Sequence, residues 1–174
     1  MNDVAERVGM RKASLFYHFA TKDALYEAAL DRLVSRLAVP LGAAYSSDGT
    51  FAERLDRAAD AVTAVLGERP FAARLLLREA MDWGPVMRGK LLGHLLLALE
   101  GGAAFVKAGQ DAGAFVDGDP KQLVLTALGA HFLPFALGQI VQLYVGLDPF
   151  DPLFVAQRRT ALRAQVRNMI VRRG

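Results

Sequence analysis

No cysteine occurs anywhere in the 174-residue chain. Disulfide scaffolds, thiolate zinc sites and cysteine nucleophiles are excluded together, and the composition fits a reducing compartment. Strand-like alternation bounded by turns is missing as well. So are the marks of catalysis: there is no His-Glu-x-x-His, no Gly-x-Ser-x-Gly, no phosphate-cradling glycine loop and no carboxylate cluster beside a base. The chain is therefore expected not to be an enzyme and to need no cofactor or metal. Met1-Asn2-Asp3-Val4 is not a basic segment leading into an apolar run, so no signal peptide is read and the expected location is cytoplasmic. Charge of one sign is scarce too. Lys+Arg 21 against Asp+Glu 18 leaves +3, too small an excess to identify a nucleic-acid partner by itself.

What the chain has in quantity is apolar side chains, 53% of the total, enough to assure a buried core. They recur at three- and four-residue steps almost throughout, which predicts an all-α protein. Breaks are expected at Gly9, Ala20-Thr21, Ser46 to Gly49, Glu68 to Pro70, Trp83 to Pro85, Asp117 to Pro120 and Asp148 to Pro152. Thr50 followed by Glu53 forms a capping box ahead of the stripe Phe51, Leu55, Ala59, Val62 and Leu66. Asp119-Pro120 and Asp151-Pro152 each place an acidic N-cap before a proline, predicting helices over 120–146 and 152–172. Gly101-Gly102 is expected to kink or split the long segment 85–112.

Between Lys121 and Asp148 no charged side chain occurs, and a run of that length raises the question of a membrane span. Thr126, His131, Pro134, Gln139 and Gln142 interrupt it, and a lone spanning helix would expose such groups to lipid. No membrane partner is expected. The segment reads instead as a helix covered on nearly all sides, by its own subunit and a second one. The last helix adds an inward face of Leu153, Leu162, Val166, Met169 and Ile170. It also carries Arg158, Arg159, Arg163, Arg167, Arg172 and Arg173 with no acid, read as a solvated face pairing with acids nearby.

Residues 1–45 differ in grain from the rest. Residues 3–8 form a short helix with Val4, Ala5 and Val8 inward, Gly9-Met10 a tight turn, and Lys12 to Phe19 a second helix, the spacing of a helix-turn-helix. A third helix follows from Thr21 with Leu25, Ala29, Leu33 and Leu37 on one stripe. Arg11 and Lys12 open the second helix, where side chains and amides can reach a major-groove edge and its phosphates. Ser14 adds a hydroxyl, and Phe16, Tyr17, His18 and Lys22 complete the candidate DNA-binding set. Leu15 and Phe19 point into the small core.

The string Val4-Ala5-Glu6-Arg7-Val8-Gly9-Met10-Arg11-Lys12-Ala13-Ser14-Leu15-Phe16-Tyr17-His18-Phe19-Ala20-Thr21-Lys22-Asp23-Ala24-Leu25 closely resembles the DNA-binding motif of the tetracycline-repressor-type (TetR) family of bacterial transcription regulators. The resemblance implies a three-helix DNA-binding head on an all-helical body that binds a ligand and forms a homodimer. Two positions depart from the pattern: Phe16 stands where the family usually carries a phosphate-contacting tyrosine, and Ala13 where glycine is frequent. In the family a further helix of roughly 20 residues precedes the motif, within the usual helix length range. Here Met1 falls inside the head, which is therefore read as incomplete at its N-terminus. Met1 is expected to be an internal methionine, behind a start assigned too late or an N-terminus not represented in this chain. A stop codon directly upstream would contradict that.

The division expected is thus 1–45, head and connecting helix, and 46–174, ligand-binding and dimerisation body. His94 and His131, each solitary in an apolar helix, read as core histidines rather than metal ligands. Trp83, Met87, His94, Phe105, Phe132 and Phe135 are the candidate lining of an effector pocket, since bundle interiors rich in large apolar residues host such sites. The function these features predict is a ligand-responsive repressor released from a palindromic double-stranded operator by a small apolar or amphipathic effector. The alternative is a dimeric helical ligand-binding protein without DNA binding.

Overall fold

A computed structural model describes residues 1–172; Arg173 of the terminal arginine run lies outside the described residues. Nine α-helices follow one another among them: α1 (Asn2–Arg7), α2 (Lys12–His18), α3 (Lys22–Ser46), α4 (Phe51–Gly67), α5 (Ala72–Asp82), α6 (Leu92–Asp111), α7 (Pro120–Ala136), α8 (Gly138–Val145) and α9 (Pro152–Ile170). Among the described residues there is no strand beyond an isolated bridge between Phe115 and Val171. The fold is all-α.

Several helix starts are written locally. Thr50 accepts from the Glu53 amide at 3.2 Å while Glu53 Oε2 accepts from the Thr50 amide at 2.8 Å, so two orphan donors of α4 are satisfied reciprocally. Asp119 caps α7 and Asp151 caps α9, each followed by a proline whose missing N–H is harmless in the first turn. Thr21 caps α3 by accepting from Ala24.

The body encloses two apolar clusters. One gathers Leu30, Leu66, Leu76, Met87, Leu91, Phe132, Phe135 and Phe154 from α3 to α9. The other, at the opposite end of α4, gathers Leu55, Phe105, Phe115, Val166 and Ile170. Tyr45 stacks on Phe105 at 4.6 Å, and Phe105 meets Phe115 edge to face at 5.5 Å. Gly109 makes this possible. A Cβ there would lie 2.1 Å from Phe115 Cδ2, so no other residue lets the fully buried ring seat itself against α6.

The structure corrects five expectations. The single helix over 120–146 is two, because α7 and α8 meet at 80° around Leu137. Pro134 cannot donate to the Ala130 carbonyl, and the Arg158 guanidinium of α9 donates to that oxygen instead at 2.7 Å. The uncharged stretch is therefore no continuous span. The one segment among the described residues long and apolar enough by itself to cross a membrane is Met87–Asp111, which packs between α3 and α7.

The long segment breaks at Gly89 (ψ −142°), inside a π-turn over Met87–Leu91, and not at Gly101-Gly102. Gly102 sits where a Cβ would approach Val124 of α7 at 3.3 Å, so it serves close helix packing. On α3 the fully buried positions are Leu30, Val34 and Ala44; of the expected stripe, Leu33 and Leu37 are partly buried and pack on the core, while Ala29 is exposed. Val4, Val8 and Leu153 are exposed rather than inward. His94 is no core residue; it lies on the surface, where its Nδ1 donates to Asp31 at 2.5 Å.

Candidate functional site

Two features of the structure can carry function: the exposed face of α2 and a cavity in the body. Gly9, at φ +67°, ends α1 in a left-handed turn in which the Met10 amide donates to the Ala5 carbonyl at 2.9 Å. Arg11 is extended and α2 begins directly after it. Ala5 and Leu15, 3% and 4% exposed, hold the two short helices together. With Leu15 turned inward, the helix period turns the remaining positions out. Arg11, Lys12, Ser14, Phe16, Tyr17, His18 and Lys22 are all exposed, Tyr17 to 87%.

Lys12 Nζ lies 5.9 Å from the Phe16 ring centre, and Tyr17 meets His18 edge to face at 5.4 Å. Among the described residues no acid forms an ion pair with Arg11, Lys12 or Lys22. The arginines of α9 and of the residues just after it differ in this respect. Arg163 bonds Asp60, Arg167 holds Asp56 through two hydrogen bonds at 2.6 and 2.7 Å, and Arg172 bonds Asp117. The densest basic segment of the chain is thus largely occupied inside the body.

The cavity, about 210 Å³, lies between α3, α4, α6 and α7. Its wall is formed by side chains such as Leu37, Val62, Leu95 and Leu128, and among the residues lining it only Tyr45 and His131 carry polar side-chain atoms. Of the six candidate lining residues, Met87, Phe105 and Phe132 line it. Trp83, Phe135 and His94 do not. Trp83 is 52% exposed in a left-handed conformation at the end of α5, and Phe135 turns to the far side of α7 against Phe150 at 5.9 Å and Phe154 at 6.4 Å.

His131 is 4% exposed, as a core histidine should be, but only half of its ring is satisfied. Nδ1 donates to the Ala127 carbonyl at 2.7 Å, and Nε2 is buried with no hydrogen-bond partner. Burial, with the Arg158 charge adding to it, holds its pKa below the ordinary histidine range, so the ring is neutral. Tyr45 is pushed up to about 12 by burial and stays protonated. Sequence reasoning did not single out Tyr45. Its signal was weak: one hydroxyl at the end of a long apolar helix.

A buried carboxylate joins the cavity wall to α3. Glu79 Oε2 accepts from the Tyr26 hydroxyl at 2.9 Å, and Oε1 accepts from the amide of Met87 at 3.2 Å. Tyr26 lies one turn into the helix that leaves the α1–α2 pair, so the wall and that helix share one hydrogen-bonded unit. No cluster of three or more metal-ligating side chains occurs among the described residues.

Comparison with known proteins gives one consistent result. Residues 1–29 match the family model described as bacterial regulatory proteins, tetR family. The HTH-type transcriptional regulator RutR of Escherichia coli K12 is 26% identical over 138 residues, covering 78% of this chain and 65% of RutR. The chain thus matches less than two-thirds of the length of that curated relative. The ketosteroid transcriptional regulator KstR2 of Mycobacterium tuberculosis superposes with TM-score 0.77 at 18% identity, over 98% of this chain and 84% of that one. PfmR of Thermus thermophilus, a TetR family regulator, gives TM-score 0.77 at 18% identity over 96% and 86%. A putative regulator of Saccharomonospora viridis, solved in complex with choline, gives 0.67 at 21% identity over 99% and 86%. At such identities the solved structures speak for the fold.

Proposed function

We propose that the chain is a ligand-responsive transcriptional repressor of the tetR family of bacterial regulatory proteins, whose model matches residues 1–29. Members of the family bind DNA and small-molecule effectors and act as dimers. The proposed division is a head with its connecting helix over 1–45 and a ligand-binding, dimerising body over 46–174. The observation that carries the reading is the fully exposed polar face of α2 within the matched segment.

In this reading α2 enters the major groove of double-stranded DNA. Arg11 and Lys12 reach base edges or phosphates, Ser14 adds a hydroxyl, and Tyr17, His18 and Lys22 hold the flanking backbone. Phe16 packs beside Lys12 and supplies no hydroxyl, so Tyr17 takes that contact.

A second copy of the chain covers the apolar face of α7, α8 and the start of α9. Leu133, Ile140, Leu143, Tyr144 and Leu153 are exposed there, the middle pair Leu143 and Tyr144 to 89% and 90%. Apolar surface on that scale marks an interface. The homodimer sets two heads about one helical turn apart, ~34–36 Å, which a palindromic operator matches. An effector in the cavity releases the operator if it binds two dimer shapes unequally. The Tyr26–Glu79–Met87 unit is the route by which the cavity wall acts on α3. The protein works in the cytoplasm, by regulation and without a cofactor.

A gel shift with the DNA around its own gene tests this. The expected result is a retarded band that dissolves on adding a compound that raises the melting temperature. Absence of any band for the folded, dimeric protein would leave the other reading, a dimeric helical ligand-binding protein without DNA binding.

A further inference from the structure

The two polar side chains of the cavity wall differ in what they leave open. His131 offers nothing to a ligand: Nδ1 is spent on the Ala127 carbonyl, and Nε2 is closed in, with less than 1 Å² of accessible surface. The Tyr45 hydroxyl is placed differently. Its ring is held by stacking on Phe105 at 4.6 Å, and the hydroxyl lies beside Gly102, where a Cβ would stand 3.4 Å from the oxygen. Gly102, Phe105 and Val124 all line the cavity, so the hydroxyl sits in the wall they form. Among the described residues it makes no hydrogen bond, yet it is not one of the sealed, unpartnered buried atoms. It therefore keeps open surface. Burial pushes its pKa up to about 12, so that surface faces interior space rather than bulk water, and the group is a neutral donor. No Asp, Glu, Lys or Arg lines the cavity.

We propose that the cavity selects an uncharged, mainly apolar molecule whose single carbonyl oxygen accepts from the Tyr45 hydroxyl. The inference rests on the ligand-responsive reading above and names the chemistry of its effector. Scaled from the roughly 150 Å³ that admits benzene, the space suits a molecule of about eight to ten non-hydrogen atoms. A hydroxyl and a carbonyl pair without remainder, since the one donor meets the one acceptor and no hydrogen is left over. An alcohol brings a second hydrogen, and one of the two then finds no open side-chain acceptor in the wall. A hydrocarbon leaves the tyrosine donor unpaired. A carboxylate meets no cation in the wall and an ammonium ion no carboxylate, so either loses its hydration without compensation.

The test is calorimetric titration of the full-length protein and of its Tyr45→Phe variant with acetophenone, 1-phenylethanol, ethylbenzene and phenylacetate. The wild type is expected to bind the ketone about fivefold or more tighter than the alcohol of the same skeleton, and not to bind phenylacetate. Tyr45→Phe is expected to weaken the ketone about tenfold while leaving ethylbenzene within about threefold. The infrared carbonyl stretch of acetophenone bound to the wild type gives a readout independent of that variant's folding. It should lie below its position in a hydrocarbon solvent, as a hydrogen-bonded carbonyl does. A band at the hydrocarbon position, or equal weakening of ketone and hydrocarbon in the variant, would overturn the inference and leave the cavity as a ligand site. Binding of ethylbenzene without acetophenone would do the same. Failure of all four compounds to bind the folded protein would overturn both the inference and the ligand-responsive reading.

Discussion

In residues 1–21 only Ala5 and Leu15 are buried, whereas the helices from α3 onward enclose two apolar clusters and a cavity. The first region keeps its charged side chains in water and outside any ion pair. The second ties its arginines to Asp56, Asp60 and Asp117 and to the Ala130 carbonyl. The contrast separates two kinds of information. Where almost nothing is buried, the order of exposed residues can be set by a partner. Where packing dominates, the same residue types are committed to the fold. The high proportion of arginine in α9 is therefore no guide to DNA, and the proposed DNA contact rests instead on Arg11 and Lys12 at the start of α2.

Substitutions can break that contrast, and the largest effect belongs to the body. Phe115→Ala removes the ring seated on Gly109 and is expected to lower unfolding free energy by about 3–5 kcal/mol in denaturant titrations, with no change in DNA affinity of the folded protein. A body variant that lost DNA affinity at full stability would contradict the separation.

Alkaline pH probes the same cluster. The unfolded Tyr45 phenol ionises near 10 and the folded one near about 12, so stability is present below pH 10 and lost as pH rises through that window. The loss is about 2–3 kcal/mol, and Tyr45→Phe should flatten the wild-type excess in alkaline unfolding curves. His131 acts at the other end. Its lowered pKa means that stability falls as pH drops below 6.5, and His131→Phe should remove that acid-side loss.

In the head the balance reverses. Arg11→Ala or Lys12→Ala is expected to weaken operator binding by about 1–3 kcal/mol in gel shifts. The melting temperature should stay within about 1–2 °C, because both side chains are exposed and unpaired. The smallest effect is expected for Asp56→Asn. It loosens the Arg167 pair, whose arginine is largely exposed, and should lower stability by under about 1 kcal/mol.

The contrast also explains what could be read from the chain alone. The head was legible because its signal lies in residue order: a glycine turn, two cations, a hydroxyl and aromatics at helical spacing need no knowledge of packing. Helix starts at Thr50, Asp119 and Asp151 were legible for the same reason, since a cap is a local bond.

The interior was less so. Periodicity marks Phe132 and Phe135 alike as apolar, yet one faces the cavity and the other Phe150 and Phe154, a choice made by which helices meet. The Ala130 carbonyl that Pro134 leaves free is taken by Arg158, 28 residues downstream, a partner that local sequence does not name. Gly101-Gly102 reads as a weak point from propensity, but close packing on α7 holds that helix straight while the break moves to Gly89. His94 and His131 have similar local sequence surroundings. Only the fold puts one beside Asp31 and the other against the cavity.

The central claim is that the exposed face of α2 reads a palindromic operator. Nuclease footprinting of the full-length protein on the DNA upstream of its own gene tests it most directly. The account predicts protection of two half-sites about one helical turn apart, abolished in an Arg11→Ala, Lys12→Ala double variant of unchanged melting temperature. Equal protection by that variant, or none by the folded wild-type protein at low salt, would contradict it.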